Sequence, residues 1–340
     1  MSKRRLVPAG LAAIAVVAVA ATAVVSTGTA APRATFKAGL VSDLGRFNDK
    51  GFNQFQLVGL NRAKAKLHVQ TQALESRSSS DYIPNLTTLA RQNFNIIMAA
   101  GFLLGPSLGT VAQQFPSINF TIMDDSVFDT AISKKPLANV TGLTFATQEN
   151  SYMAGCLAAL MAQKDGSKSI GVVGGIKIPP VDSFLAGYRA GAAKCVPGTK
   201  VLIGYSNTFT AQDKCKVVAL QQIAAGADVV FDVAGPCGFG VHSAAKEKHV
   251  WSIGVDVDQA YLGPQVLTSV LKHVEVATFD AVDQVLHHKK IGGHDLVFNL
   301  KNNGVGIGKI SPKVPKAFIA KMNALGAQIR AGKIKPPSKL

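Results

Sequence analysis

Short apolar runs alternate with longer amphipathic stretches along most of this chain. Phe36–Val41 reads as a first strand, and apolar positions at helical spacing from about Gln54 to Leu67 read as the helix after it. Leu67–Ala73 is a second strand and Glu75–Ser80 a polar turn. Asp81 then stands where it can cap a helix to about Gln92. Asn95–Ala99 is a short buried strand ending in Gly101-Phe102, Leu108–Phe115 is helical, and Asn119–Met123 is a strand ending in Asp124-Asp125. Val140–Phe145 is a further strand, and Thr147-Gln148-Glu149-Asn150 opens an Ala-rich helix to about Gln163. From Ser169 the alternation starts again. Strands Ile170–Val173, Val201–Tyr205, Asp228–Val233 and Trp251–Val255 are separated by helices Val181–Ala193, Asp213–Ala225 and Val241–Lys248.

The strands show little strict period-two patterning, so both of their faces are expected to be covered. That is the signature of parallel sheets flanked by helices. Two successive α/β runs imply two lobes of like architecture, although no sequence repeat links them. Most strands end in a polar or glycine-rich stretch, the layout of a ligand crevice at the carboxyl edge of open sheets.

Length and composition agree with this picture: 340 residues at 47% hydrophobic content are ample for two packed lobes. The first thirty residues stand apart. Lys3, Arg4 and Arg5 precede an apolar Leu6–Val25, and Gly28-Thr29-Ala30 supplies small residues suited to signal cleavage. Export with cleavage near Ala30 is expected; the alternative is a retained anchor, since the run is long enough to span a bilayer. Without those three basic residues, 33 Lys and Arg still exceed 20 Asp and Glu by 13. The lysines are scattered with few aromatics among them, so the charge reads as a solvated surface and not as a nucleic-acid interface.

Four cysteines suit an oxidising compartment. Cys215 opens the helix after Val201–Tyr205 and Cys237 follows the strand ending at Val233, so both lie at the carboxyl edge of neighbouring strands. Cys195 ends a helix and lies near the opposite edge. Bridging it to Cys215 would span a strand's length, beyond the roughly 7 Å Cα limit. The expected pairs are Cys215–Cys237 and Cys156–Cys195, against four unpaired thiols. Zinc-type CxxC spacing is absent.

The stretch Ser42-Asp43-Leu44-Gly45-Arg46-Phe47-Asn48-Asp49-Lys50-Gly51-Phe52-Asn53-Gln54 carries the most chemistry. It joins the first strand to the first helix, where Asp43 offers an acceptor and Phe52 a flat apolar face. The plainer reading is an ordinary connecting loop, with Asp49 or Asn53 capping the helix and Phe52 in the core. This stretch resembles the opening signature of the basic membrane protein family, the substrate-binding proteins of ABC importers that include purine nucleoside receptors. Asp43, Gly45, Asp49, Phe52, Asn53 and Gln54 are in register with it, but Gly51 stands where Ser is usual and Leu44 where some relatives have a polar residue. Gly254-Val255-Asp256-Val257-Asp258-Gln259 and Thr268-Ser269-Val270-Leu271-Lys272 match the family further along the chain.

The resemblance implies a type I periplasmic-binding fold, α/β, with each of two lobes a parallel sheet covered by helices. The chain would cross between lobes near Thr144–Gln148, Ser269–Lys272 and Gly292–Phe298. Lobe 1 would then comprise 36–144 plus 271–293, and lobe 2 would comprise 145–270 plus 294–335. Helix Val274–His287 would return to the first lobe, and helix Pro315–Ala331 would cover the second. The ligand set implied is Asp43, Leu44, Phe52, Asn53, Phe102, Phe209, Val233, Gly235, Asp256 and Lys272. In it Phe52 and Phe209 sandwich a flat base, Asp256 accepts ribose hydroxyls, and Lys272 donates to the base or pairs with Asp256. Each has a plainer alternative: a core aromatic for Phe209, a solvated side chain for Lys272, a cap for Asp258. The glycine-rich Val233–Gly240 loop is neither a Walker motif nor a GxGxxG fingerprint. HExxH is missing and no catalytic constellation emerges from the residues, so no enzyme is expected and no cofactor or metal. The expected partners are a nucleoside and a membrane permease, and the expected form is an exported monomer. It would be unlipidated, since no Cys precedes Cys156. The alternatives are a receptor of the same fold for a sugar, a sensor for a membrane kinase, or an α/β nucleoside hydrolase.

Overall fold

The first apolar run becomes strand β1 (Lys37–Val41) in the computed structural model, which describes residues 1–3 and 35–340. The expected signal segment therefore lies outside the described residues after Lys3. The first run continues with α1 (Phe52–Leu67), β2 (Gln70–Leu74), α2 (Tyr82–Arg91), β3 (Ile96–Ala99), α3 (Gly105–Gln114) and β4 (Asn119–Met123). Next come β5 (Val140–Phe145) and α4 (Thr147–Lys164). The second run gives β6 (Ser169–Gly174), α5 (Pro179–Cys195), β7 (Lys200–Tyr205), α6 (Gln212–Ala224), β8 (Ala227–Val233), α7 (Phe239–Glu247) and β9 (Trp251–Asp256). The chain then forms β10 (Val266–Lys272), α8 (Val274–Leu286), β11 (Asp295–Phe298), β12 (Val305–Ile307) and α9 (Lys316–Arg330).

These strands make two six-stranded sheets, in the orders β11-β5-β4-β3-β1-β2 and β12-β10-β9-β8-β6-β7. The two orders correspond strand for strand, so the lobes share a topology that their side chains no longer share. The first sheet is parallel throughout. The second carries one antiparallel edge strand, β12 against β10, which the sequence reading lacks. Central strands such as β3 and β6 are buried on both faces, as apolar runs without alternation require. The core of the second lobe closes on Phe231, whose ring lies 5.1 Å from Tyr188 and 6.3 Å from Phe184. Burying one such side chain stabilises by roughly 1.5–3 kcal/mol, and this holds the strand ends that face the cleft in place.

Two expectations need correction, and one boundary shifts. Leu271 and Lys272, expected in lobe 1, end β10, an interior strand of the second sheet, so the crossing expected near Ser269–Lys272 falls just after it, at His273. Asp295–Phe298, expected in lobe 2, pairs with β5 in the first sheet, and the third crossing follows Phe298. The Asp81 carboxylate does not cap α2; it accepts the backbone N–H groups of Arg77 and Ser78 in the preceding turn. Helix α8 does return to the first lobe. Gly59 of α1 faces the Glu275 backbone and Thr278 with no room for a side chain. Helix α9 buries Met322, Leu325 and Ile329 in the core of the second lobe. Both expected disulfides are formed, with Cα–Cα distances of 5.2 Å for Cys156–Cys195 and 5.6 Å for Cys215–Cys237.

Candidate functional site

The carboxyl ends of both sheets face one cleft, and the order of each sheet reverses beside it, between β1 and β3 and between β6 and β8. Ligands of open α/β sheets bind at such reversals. The cleft encloses about 640 Å³, counting its open mouth, within the usual range for small-molecule sites. Asp43, Phe52, Asn53, Phe102, Phe209, Val233, Gly235, Asp256 and Lys272 all line it. Leu44 does not. Its apolar side chain packs against the core of the first lobe, and the backbone around it serves the turn while its neighbour Asp43 faces the cleft.

The turn after β1 is built by two carboxylates. Asp49 accepts the backbone N–H groups of Gly51, Asn53 and Gln54 at 2.8–3.0 Å, so it satisfies donors at the start of α1. Asn53 is buried between Asp49 and Asp43 and donates its amide to both, at 3.0 and 2.7 Å. The Gly45 N–H also donates to Asp43, at 2.8 Å. The plainer reading of this loop holds for Asp49, while Phe52 faces the cleft. Gly101, at φ 126°, lies against the Phe52 ring and the Asp43 carboxylate, where a Cβ would meet them at 3.2 and 3.4 Å. Only glycine combines that conformation with so close an approach.

Lys272 ends β10 with its side chain 2% exposed, and its ammonium pairs with Asp124 of the opposite lobe. The partner is thus Asp124 and not Asp256. The same ammonium stands 4.6 Å from the Phe52 ring centre, 5.0 Å from Phe145 and 6.0 Å from Phe184. Aromatic faces attract a cation, which offsets part of the cost of burying it. Lys50 adds a second contact between lobes, over the Phe239 ring at 6.0 Å.

Asp256 follows the same plan as Asp124. Each ends a strand in the left-handed region, at φ 63° and 66°, which Asp tolerates better than most side chains. The conformation turns the carboxylate out of the sheet and into the cleft. Burial pushes Asp256 up to about 7; Lys272 pulls it down, and Asp124, Asp49 and Asp232 push it further up. Burial likewise raises Asp43 to about 6, against the lowering effect of the Gly45 and Asn53 hydrogen bonds. Asp258 does cap the next turn, accepting the N–H of Ala260 at 3.1 Å.

Sequence reasoning missed Asp124, although its place at a strand end matches that of Asp256. Ile178, Pro180 and Phe184 also line the cleft. Phe184 sits within α5 and borders both the core and the site, and nothing in its local pattern marks the second role. The arrangement offers flat apolar faces, several hydrogen-bond acceptors and one ammonium, which together suit a neutral, donor-rich heterocycle. Among the described residues no cluster of three His, Cys, Asp or Glu side chains could hold a metal ion. No described helix is long and apolar enough to cross a membrane.

Residues 36–339 match the family described as ABC transporter substrate-binding protein, PnrA-like. The ABC transporter nucleoside-binding protein BmpA of Lactococcus lactis subsp. cremoris is 34% identical over 89% of each chain. Basic membrane protein D of Borreliella burgdorferi is 33% identical over 77% of this chain and 76% of its own length. An ABC transporter solute-binding protein of Aeropyrum pernix K1 shares the fold with a TM-score of 0.78 at 24% identity, over 88% of this chain and 92% of the other.

Proposed function

This chain belongs to the PnrA-like family of ABC transporter substrate-binding proteins, and from that premise we propose that its ligand is a nucleoside, with a purine base, which it hands to a membrane permease. One observation carries the reading. Phe52 and Phe209, from opposite lobes, line the same cleft as Asp43, Asp256 and Lys272. A base between the two rings would place its ribose hydroxyls toward carboxylate acceptors, and Lys272 has donors left for a base nitrogen or carbonyl. The name of the L. lactis relative supports the same ligand class.

Mature protein would start near Ala31, exported and without a lipid. Intact mass of protein recovered from its own cell envelope tests this, and a chain retaining residues 1–30 overturns it. The ligand assignment is tested by mass spectrometry of whatever co-purifies. Phe52→Ala and Phe209→Ala should each weaken nucleoside binding by about 1–3 kcal/mol if both rings stack on the base. The proposed role is binding without turnover, so free base recovered after prolonged incubation with a nucleoside would favour a hydrolase instead.

A further inference from the structure

The two disulfides hold different parts of the second lobe. Cys156 lies within α4 and Cys195 at the end of α5, just ahead of the start of β7 and so at the edge away from the cleft. Neither lines the cleft. Helix α4 is buried along nearly its whole length, so this bridge reinforces a helix that packing already holds.

The other bridge is placed differently. Cys215 is in the first turn of α6, and Cys237 is in the short helical turn Gly235–Gly238 after β8; both are fully buried. Of the thirteen residues of α6, only Cys215, Ala219 and Gln222 are buried. The first turn of α6 packs closely on Gly240 of α7, but the connector that enters it, outside that contact, carries Phe209. On the other side of the bridge, Gly235 and Pro236 form part of the cleft wall. The Cys237 N–H donates to the Phe209 carbonyl at 2.9 Å. Two cleft-facing loops thus meet at one covalent tie.

We propose that the Cys215–Cys237 bridge is a positioning element of the binding site, which holds the Phe209 loop against the Gly235 turn in its ligand-ready form. The Cys156–Cys195 bridge contributes to stability alone. Preorganised loops bind more tightly because less ordering remains to be done on binding. The bridges span 39 and 22 residues, and in the chain-entropy view the longer loop constrains the unfolded state more. Stability and affinity should therefore respond in opposite orders to loss of the two bridges. The affinity arm rests on the nucleoside reading above; an exchange arm does not.

The test uses the mature chain with Cys215→Ala/Cys237→Ala and, as its counterpart, Cys156→Ala/Cys195→Ala. Adenosine affinity is measured by calorimetry, melting by circular dichroism, and backbone hydrogen exchange by peptide over residues 206–212 and 234–238. Loss of the 215–237 bridge is expected to cost about tenfold or more in affinity and to speed exchange in those two segments. Loss of 156–195 lowers the melting temperature at least as much and leaves affinity unchanged. Equal affinity in both double variants, with wild-type exchange at 206–212, overturns the proposal. Should the wild type bind no nucleoside, it is the earlier ligand reading that fails, and unchanged exchange at 206–212 still overturns the role of the bridge. Where the alanine pair does not fold, Cys215→Val/Cys237→Ala refills the lost volume and carries the same expectations.

Discussion

Asp256 ends β9 in a left-handed conformation that most side chains avoid, and it lies beside a buried ammonium that pairs elsewhere. A residue held this way is set up to accept hydrogen bonds from a ligand. Asp256→Ala should fold as the wild type does and lose about 1–3 kcal/mol of nucleoside affinity, because the ligand hydroxyls are left unpaired. Leu44→Ala, whose side chain packs away from the cleft, should leave affinity unchanged; calorimetry reads both. Binding should also depend on pH. The acceptors are the ionised forms of Asp43 and Asp256, which burial raises to about 6 and about 7. Affinity is therefore expected to rise from pH 5 to pH 8, and a flat profile would contradict their role. The stability of the ligand-free protein has the opposite sign. These carboxyls hold protons more tightly folded than unfolded, so their contribution is full below the ordinary 3.8 and is lost as pH rises through 6 and 7. Asp43, Phe52, Asn53, Asp256 and Lys272 were legible at this scale because they stand in stretches that resemble the family's motifs. Asp124 was not, since one acidic strand end looks like any other until the sheets place it opposite Lys272.

At the scale of elements, the long amphipathic helices and the central strands were readable from hydrophobic spacing. The edge strands were not. β11 and β12 span four and three residues and each has a single partner, so neither leaves a pattern longer than a turn does. Thr268, Ser269 and Lys272 give β10 a polar sequence for an interior strand; in the structure all three are buried and hydrogen-bonded or ion-paired. The return of α8 to the first lobe depends on a close approach to α1 at Gly59. Gly59→Leu should force the helices apart and cost about 1–3 kcal/mol of stability by overpacking, read by chemical denaturation. An unchanged midpoint would show that the α1–α8 contact tolerates more space than the structure allows.

For the whole molecule, three crossings join lobes of one topology, and aromatic contacts gather there. Phe145, before the first crossing, stacks on Phe298, before the third, at 5.0 Å, and Lys272 ends the strand leading to the second. A ligand that touches Phe52 and Asp43 on one lobe and Phe209 and Asp256 on the other favours the closed arrangement by its differential affinity. The fold class followed from the strand–helix alternation, whereas the cleft between lobes needed the topology. The central claim is that this cleft takes a whole nucleoside, with base and ribose both engaged. Calorimetric titration of the mature protein with adenosine, inosine, adenine, ribose and glucose tests it most directly. The account predicts saturable one-to-one binding of a purine nucleoside, with free base and free ribose each far weaker. Tighter binding of ribose or glucose than of either nucleoside, or no heat with the nucleosides at all, would contradict it.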